Sequence, residues 1–439
     1  MSQERELDYS VTADPYDSLR ALPRLRSEQC MPRSLLLTFD LRDDGRSYDV
    51  MAWGDALPFD RNAPFRGVIQ RSREEIASEV GLLLRTWLET VVNRRRPGSR
   101  DYIFNGSPAT DLGMDTAQAA LADIGLVLAR SGHALFEFLF SRGDAGLSRL
   151  REALCAALRS GPQVVTITSN DLFVPWGMLY LPPDPATRLP QKSAAWGWSG
   201  FLGYTHLVEH NLGYVENYHP LIEHGTERPQ AGLQFDLRMQ NGDAPGTDPI
   251  GAVRAVIETH ANVTERSYKQ DLAEALSDPR VHDHILVFGA HGCGERQDQR
   301  GTTQARLTLT DGESICSSDL EYWRTTRQER LPDPLCFMMV CEGGRTRTFV
   351  HEGLGRPLFN LGIGCLIGPE IEIPKTFGSL YTCRFFEEFF KGERAAPVAR
   401  SLTHEFLTKH ATPLGLVFTL LRGIDNRLVE ASAAAKEST

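Results

Sequence analysis

Ile285-Leu-Val-Phe-Gly-Ala-His291-Gly292 and Leu335-Cys-Phe-Met-Met-Val-Cys341-Glu-Gly-Gly344 decide how this chain is read. Each is an apolar run of strand length that stops at a reactive side chain, with glycine close behind. A continuous apolar run of that kind is the pattern of a strand buried on both faces, as in a parallel sheet. In open α/β sheets chemistry collects at the carboxyl ends of such strands. The two runs therefore predict a histidine and a cysteine at neighbouring strand ends.

Around them, from residue 232 onward, strands and helices alternate. A strand at 233–237 leads to helices at 250–259 and 268–276, separated by a short extended piece at 261–263. After the strand ending at His291 come a Gly-rich loop, an alternating strand Arg306-Leu-Thr-Leu-Thr-Asp-Gly312 and a helix at 318–327. The strand ending at Cys341 is followed by a helix near Leu354, a strand at 363–367, helices at 379–390 and 397–407, and a last strand at 416–421. Such alternation implies parallel βαβ units and a sheet covered on both faces.

The first half is less regular. Residues 1–32 are polar and acidic without sustained periodicity and are read as a mobile tail. Residues 34–53 form a hairpin turning at Asp43-Asp-Gly-Arg46, because Asp-Gly supplies the positive φ of a tight turn. Ser72-x-x-Glu75 is a capping box opening a helix whose apolar face is Ile76, Val80, Leu83, Leu84, Trp87 and Val91. Helices are expected at 116–140, broken at Ser131-Gly132, and at 147–158, with a strand at 163–168; Pro175-Trp176 reads as a packing feature. The stretch 182–232, rich in Pro, Gly, His and aromatics, holds the boundary between two lobes, 33–225 and 226–430, with a short tail at 431–439.

A length of 439 residues exceeds what one core usually serves. The net charge of −10 excludes a dedicated nucleic-acid binder, and the one dense basic run, Asn93-Arg-Arg-Arg-Pro97, reads as a solvated helix end. No leader pattern is seen, and no apolar run approaches the roughly 20 residues that span a bilayer, so the expected location is cytoplasmic, away from membranes. The eight cysteines are scattered, with no CxxC pair, which fits a reducing compartment and neither a disulfide scaffold nor a thiolate zinc site. His206, His210, His219 and His224 match no compact metal pattern, and His282 and His284 precede their strand, at the wrong end of the sheet.

A cysteine nucleophile needs a thiolate, or a base to make one, and hydrogen-bond donors aimed at the developing oxyanion. His291 and Cys341 meet the first need, and the backbone N–H groups of Gly292 and Cys341 are the candidates for the second. Glycines at 292, 343 and 344 let a peptide approach the backbone closely. An isolated cysteine at the end of an apolar run is ordinarily an inert core residue; its pairing with His291-Gly292 in the right strand order reverses that reading. Cys293 shares a loop with the base on this reading and has no strand of its own. The separation of 50 residues from His291 to Cys341 matches the order and approximate spacing of the caspase pair.

The chain resembles the CHAT proteases, caspase-like enzymes grouped with separases and caspases. The resemblance rests on Phe288-Gly-Ala-His291-Gly292, Leu307-Thr-Leu-Thr-Asp-Gly312 with Ser318-Asp-Leu320, Val340-Cys341-Glu-Gly-Gly344, Gly364-Cys-Leu-Ile-Gly368 through Ile373-Pro374, and Phe385-Phe-Glu-Glu-Phe-Phe-Lys-Gly392. The region 165–179 is also similar, so the match covers most of the chain after the first tail. Met-Val-Cys stands where the family usually has Ser-Ala-Cys, and the tryptophan common after the next strand is absent from Glu370-Ile-Glu-Ile373.

The resemblance implies an α/β caspase-like fold, a mainly parallel sheet flanked by helices, with a catalytic C-terminal lobe and a non-catalytic N-terminal lobe. It implies a cysteine endopeptidase that needs no cofactor or metal, acts on protein substrates in bacterial defence or regulated cell death, and is switched on by a partner or ligand. Separases read a basic residue before the scissile bond with an acid just after the strand that follows the nucleophile strand. Glu372 lines up with that acid, Glu370 lies two residues away, and Met339 is expected to form an apolar wall of the pocket, favouring Arg over Lys. The competing readings are a catalytically silent CHAT-like module that binds and signals, and a zinc-dependent hydrolase using the scattered histidines.

Overall fold

Local chemistry sets the first elements. The computed structural model describes residues 30–58, 64–95, 102–104, 114–185, 196–213, 219–225, 227–242, 246–293, 306–341 and 350–431. Strands β1 (Leu35–Leu41) and β2 (Tyr48–Trp53) form the expected hairpin, with Gly45 at φ 65° in the turn. Strand β3 (Phe65–Ile69) adds antiparallel to β2. It escaped the sequence reading because Arg66-Gly67 interrupts its apolar pattern; a Cβ at Gly67 would lie 2.4 Å from the Leu147 nitrogen. Helix α1 (Arg73–Trp87) opens on the Ser72/Glu75 capping box and buries the expected face through Trp87.

Helix α2 (Met114–Phe140) runs unbroken through Ser131-Gly132, correcting the expected interruption. Gly132 is instead a contact point, since a Cβ there would stand 2.5 Å from the Met178 carbonyl oxygen. By length and composition the 118–140 part of α2 is long and apolar enough to cross a membrane, contrary to the expectation that no run comes close. Its Ile124, Leu128, Leu135, Phe136 and Leu139 are buried in the protein core. Helix α3 (Ala145–Arg159), capped by Asp144, and strand β4 (Val164–Ser169) follow as expected.

After the short helix α4 (Leu202–Thr205) come β5 (Leu207–Asn211) and β6 (Leu221–His224), both inside the stretch assigned to the lobe boundary. The second half contributes β7 (Gln230–Phe235), α5 (Pro249–His260), β8 (Asn262–Glu265), α6 (Lys269–Ser277), β9 (Ile285–Cys293), β10 (Arg306–Thr308), β11 (Ser314–Ile315), α7 (Ser317–Arg327) and β12 (Leu335–Cys341). It ends with α8 (Arg356–Leu361), β13 (Cys365–Pro369), α9 (Lys375–Phe389), α10 (Ala395–Lys409), β14 (Phe418–Leu421) and β15 (Arg427–Glu430), the last pairing with β6 in a small separate sheet.

The fold is mixed α/β with a large, mostly parallel sheet of thirteen strands among the described residues. It consists of two parallel blocks. One is β1, β4, β5 and β14; the other is β13, β12, β9, β7 and β8. They meet at β13 and β14, which are antiparallel, so the carboxyl ends of the two blocks lie on opposite edges of the sheet. Strand β14, late in the sequence, belongs to the block built from the first half.

Helices cover both faces of the second block, as the alternation implied. On one face Leu335, Phe337 and Met339 share a core with α5, α9 and α10. On the other Cys336 and Met338 pack with residues of α6, α7 and α8. The first core runs without a gap into the helices of the first half. At the seam, Tyr381 stacks on Phe418 with ring centroids 4.0 Å apart, and Phe377 and Phe406 close around them.

Because Gly132 touches a backbone carbonyl that cannot move cheaply, Gly132→Ala is expected to lower stability by roughly 1–3 kcal/mol, read from the urea midpoint. Gly225→Ala, whose added Cβ meets nothing within 4 Å among the described residues, serves as the control and should leave the midpoint in place.

Candidate active site

The ladder between β9 and β12 runs through seven consecutive parallel pairs, from Leu335 opposite Ile285 to Cys341 opposite His291. Strand period then assigns positions 291 and 341 to the same face of the sheet as Leu335, Phe337 and Met339. Neighbouring strands lie about 4.8 Å apart, so the two backbones at this pair are close neighbours at the carboxyl edge. The sequence predicted adjacent parallel strands; the register partnership itself is a finding of the structure.

Strand β9 continues past His291, correcting the expected strand end. Strand β7 leaves it after Gly289, and the β10–β11 hairpin takes over that side, with Thr308 opposite His291, Leu307 opposite Gly292 and Arg306 opposite Cys293. Gly292 thus sits inside a ladder and not in a loop. Cys293, set aside for want of a strand to hold it, is held by one. The segments 294–305 and 342–349, which include Gly343 and Gly344, lie outside the described residues.

Beyond Phe337 opposite Ile367, β12 and β13 no longer pair, and β13 instead pairs through Pro369 with β14. Glu370 and Glu372 follow directly. Counted on from the last pair, Ile371 is level with Cys341, and the two glutamates flank that level. Glu370 is 1% exposed, so it is not a solvated loop charge; its backbone N–H donates to the Val417 carbonyl. Glu372 is half-buried between Ile371 and Ile373, which point into the core. Met339 is fully buried over Gly289 and Gly378, where added Cβ atoms would meet it at 3.2 and 2.9 Å, and it contributes to the core that backs the site.

Sequence reasoning missed Asp236. It follows β7 at the same carboxyl edge, its N–H donating to the Gly289 carbonyl two residues before His291, and it is wholly buried. Arg238 grips its carboxylate from Nε at 2.8 and 3.0 Å and from Nη2 at 2.6 Å, and also donates to the Leu309 carbonyl. Thr310 Oγ1 accepts from the Leu237 N–H, tying this corner to the hairpin beside His291. The signal was partial: Ala231-Gly-Leu-Gln-Phe235 is a run of strand length, interrupted by Gln234, that stops at Asp236.

Burial pushes the thiols of Cys155, Cys336 and Cys365 up, and that of Cys383 up to about 11, so these four are poor nucleophiles. The histidines of the zinc reading are spread out. His206 and His210 lie at the seam between the blocks, His219 is exposed, and His224 stacks edge-on against His284 at 6.3 Å. His284 Nδ1 accepts from the Gln230 N–H at the amino edge of the block, as its place in the sequence suggested. Among the described residues no three His, Cys, Asp or Glu side chains gather as a metal site would require.

No family model and no curated protein matches the sequence. Among solved structures, two of the Saccharomyces cerevisiae separase–securin complex are similar to it, each with a TM-score of 0.42. One is 8% identical over 90% of this chain and 30% of that chain; the other is 9% identical over 94% and 31%. The chain thus spans less than a third of the length of these matches.

His206 supplies a test of the seam that flanks the site. Its Nδ1 accepts the Gln163 N–H at 3.0 Å, and burial pulls its pKa down to about 4. An unfolded histidine protonates near pH 6.5, about the usual value. Between those two values the unfolded chain holds one more proton than the folded one, so stability falls as pH drops from about 6.5 to about 4, by roughly 3 kcal/mol in all. His206→Asn retains an acceptor for Gln163 and removes the titration. Its acid-unfolding slope over that window should be shallower than wild type, and coincident slopes would show that His206 is not held neutral.

Proposed function

We propose that this chain is a cysteine endopeptidase of the caspase-like CHAT kind, acting on protein substrates through His291 and Cys341 and preferring a basic residue before the cut. The observation that carries the proposal is the β9–β12 ladder, in which Cys341 and His291 are register partners at the carboxyl ends of adjacent buried parallel strands. In open α/β sheets that edge is where chemistry collects. The sequence resemblance supports the same reading and adds an activating partner or ligand, a cytoplasmic setting and a role in defence or regulated cell death.

In the mechanism, His291 accepts the thiol proton and the Cys341 sulfur attacks the scissile carbonyl carbon. Backbone N–H groups, with those of Gly292 and Cys341 as the candidates, donate to the oxyanion as it forms. Collapse breaks the C–N bond, the imidazolium hands its proton to the departing amine, and a thioester remains. Water, deprotonated by His291, then hydrolyses the thioester and regenerates the thiol.

Specificity is assigned to Glu372 and Glu370, which flank the level of Cys341 on the segment after β13. A desolvated carboxylate favours arginine over lysine because guanidinium can bond it in two places. A register one strand removed from a buried acid supports this choice.

A peptidyl electrophile should label Cys341 ahead of the other seven cysteines, and His291→Ala should slow that labelling by roughly 10²–10⁴-fold. Peptide mapping of the labelled protein reads both. Equal labelling of Cys293, or indifference to the histidine, removes the dyad. Cleavage of a peptide library should follow Arg, then Lys, and Glu372→Ala should flatten that preference. Cleavage after Asp or Leu would overturn the specificity assignment while leaving the dyad standing.

A further inference from the structure

The seam between the two parallel blocks contains a crevice that the peptidase reading leaves unused. It has a volume of about 50 Å³, is floored by β5 and β14 and is walled by α10, with Trp176, His206, His210, Arg400, Thr403 and Thr419 among its lining residues. By the same measure a water needs about 10–15 Å³, so the space holds three or four waters or one group of about five heavy atoms. Among the described residues no Asp or Glu lines it.

Two ring N–H donors of its lining lack acceptors among the described residues. Because His206 Nδ1 accepts the Gln163 N–H, the proton of the neutral ring belongs on Nε2, and no described residue accepts from it. The Trp176 indole N–H is buried without an acceptor among the described residues. Arg400 makes one long bond, 3.4 Å from Nη1 to the Thr205 carbonyl, and has no carboxylate within ion-pair distance among the described residues. Its charge helps to hold the His206 ring neutral, so Arg400 supplies the positive charge of this spot and His206 adds a neutral N–H donor beside it. A half-buried guanidinium with no counter-charge, beside donors with nothing to donate to, attracts a negatively charged acceptor and repels a cation.

We propose that this crevice is a binding site for a phosphate-sized oxyanion seated on Arg400 and His206. The anion bridges α10 to the strands on which the two blocks join. It is either a free ion or the terminal group of a larger ligand entering past the partly exposed Thr419 and Arg400.

Calorimetric titration of the full chain in chloride buffer at constant ionic strength tests this, with inorganic phosphate and phenyl phosphate as separate probes. Saturable one-to-one binding is expected, weakened at least about tenfold in Arg400→Gln, the loss of one strong charge-assisted contact. Tighter binding of phenyl phosphate would identify the terminal group of a larger ligand, and equal or weaker binding the free ion. His206→Asn, which preserves the Gln163 contact but removes the Nε2–H donor, should also weaken binding and serves if the Arg400 variant does not fold. Absence of saturable binding to the wild type, or affinities unchanged in the folded variants, overturns the site.

Discussion

The geometry of the candidate site depends on one backbone constraint, the seven-pair parallel ladder between β9 and β12. A slip of one residue would exchange the faces of every side chain on a strand. Here both faces are already committed. Leu335, Phe337 and Met339 fill one core and Cys336 and Met338 the other, so a slip would disrupt two packed layers at once. Gly289 tightens the fit, because a Cβ there would lie 2.8 Å from the Phe235 ring and 3.2 Å from Met339. The partnership of His291 with Cys341 is therefore enforced by apolar residues several positions away that have no chemistry of their own.

Much of this half was legible because buried parallel strands are written as unbroken apolar runs and their crossover helices as periodic ones. The register was not legible, since period and propensity say which residues form a strand and not which residue faces which. Gly132 misled for a related reason: in sequence a glycine in a helix looks like a stop, and in space it is a place of close approach to Met178. The Cys293 error came from ending β9 where its apolar run ends, although the strand goes on because the β10 hairpin offers it a partner. Asp236 was passed over when the strand at 233–237 was drawn through it.

The largest omission was β5, a central strand reading Leu-Val-Glu-His-Asn. Its polarity is tolerated because each buried charge is answered. Glu209 accepts from Thr166 Oγ1 at 2.7 Å and from the Ile424 N–H at 2.9 Å, and Arg33 bridges it to Asp425, which also accepts the Met31 N–H. A buried ion pair holds only when its remaining hydrogen-bonding capacity is also satisfied. These partners come from both ends of the described chain, so no local window of sequence could have announced the strand.

That arrangement has a consequence for the order in which the protein is made. Strand β5, paired with β4 on one side, acquires its second neighbour when Leu421 reaches His210, and Glu209 acquires its backbone donor when Ile424 arrives. During synthesis the first block emerges with an open edge at its future centre and charged groups awaiting partners still to be translated. Exposed edges invite association with other chains, and contacts between distant residues form slowly. The nascent chain therefore passes through a long interval as a half-sheet, in which a chaperone would meet β5 before β14 does.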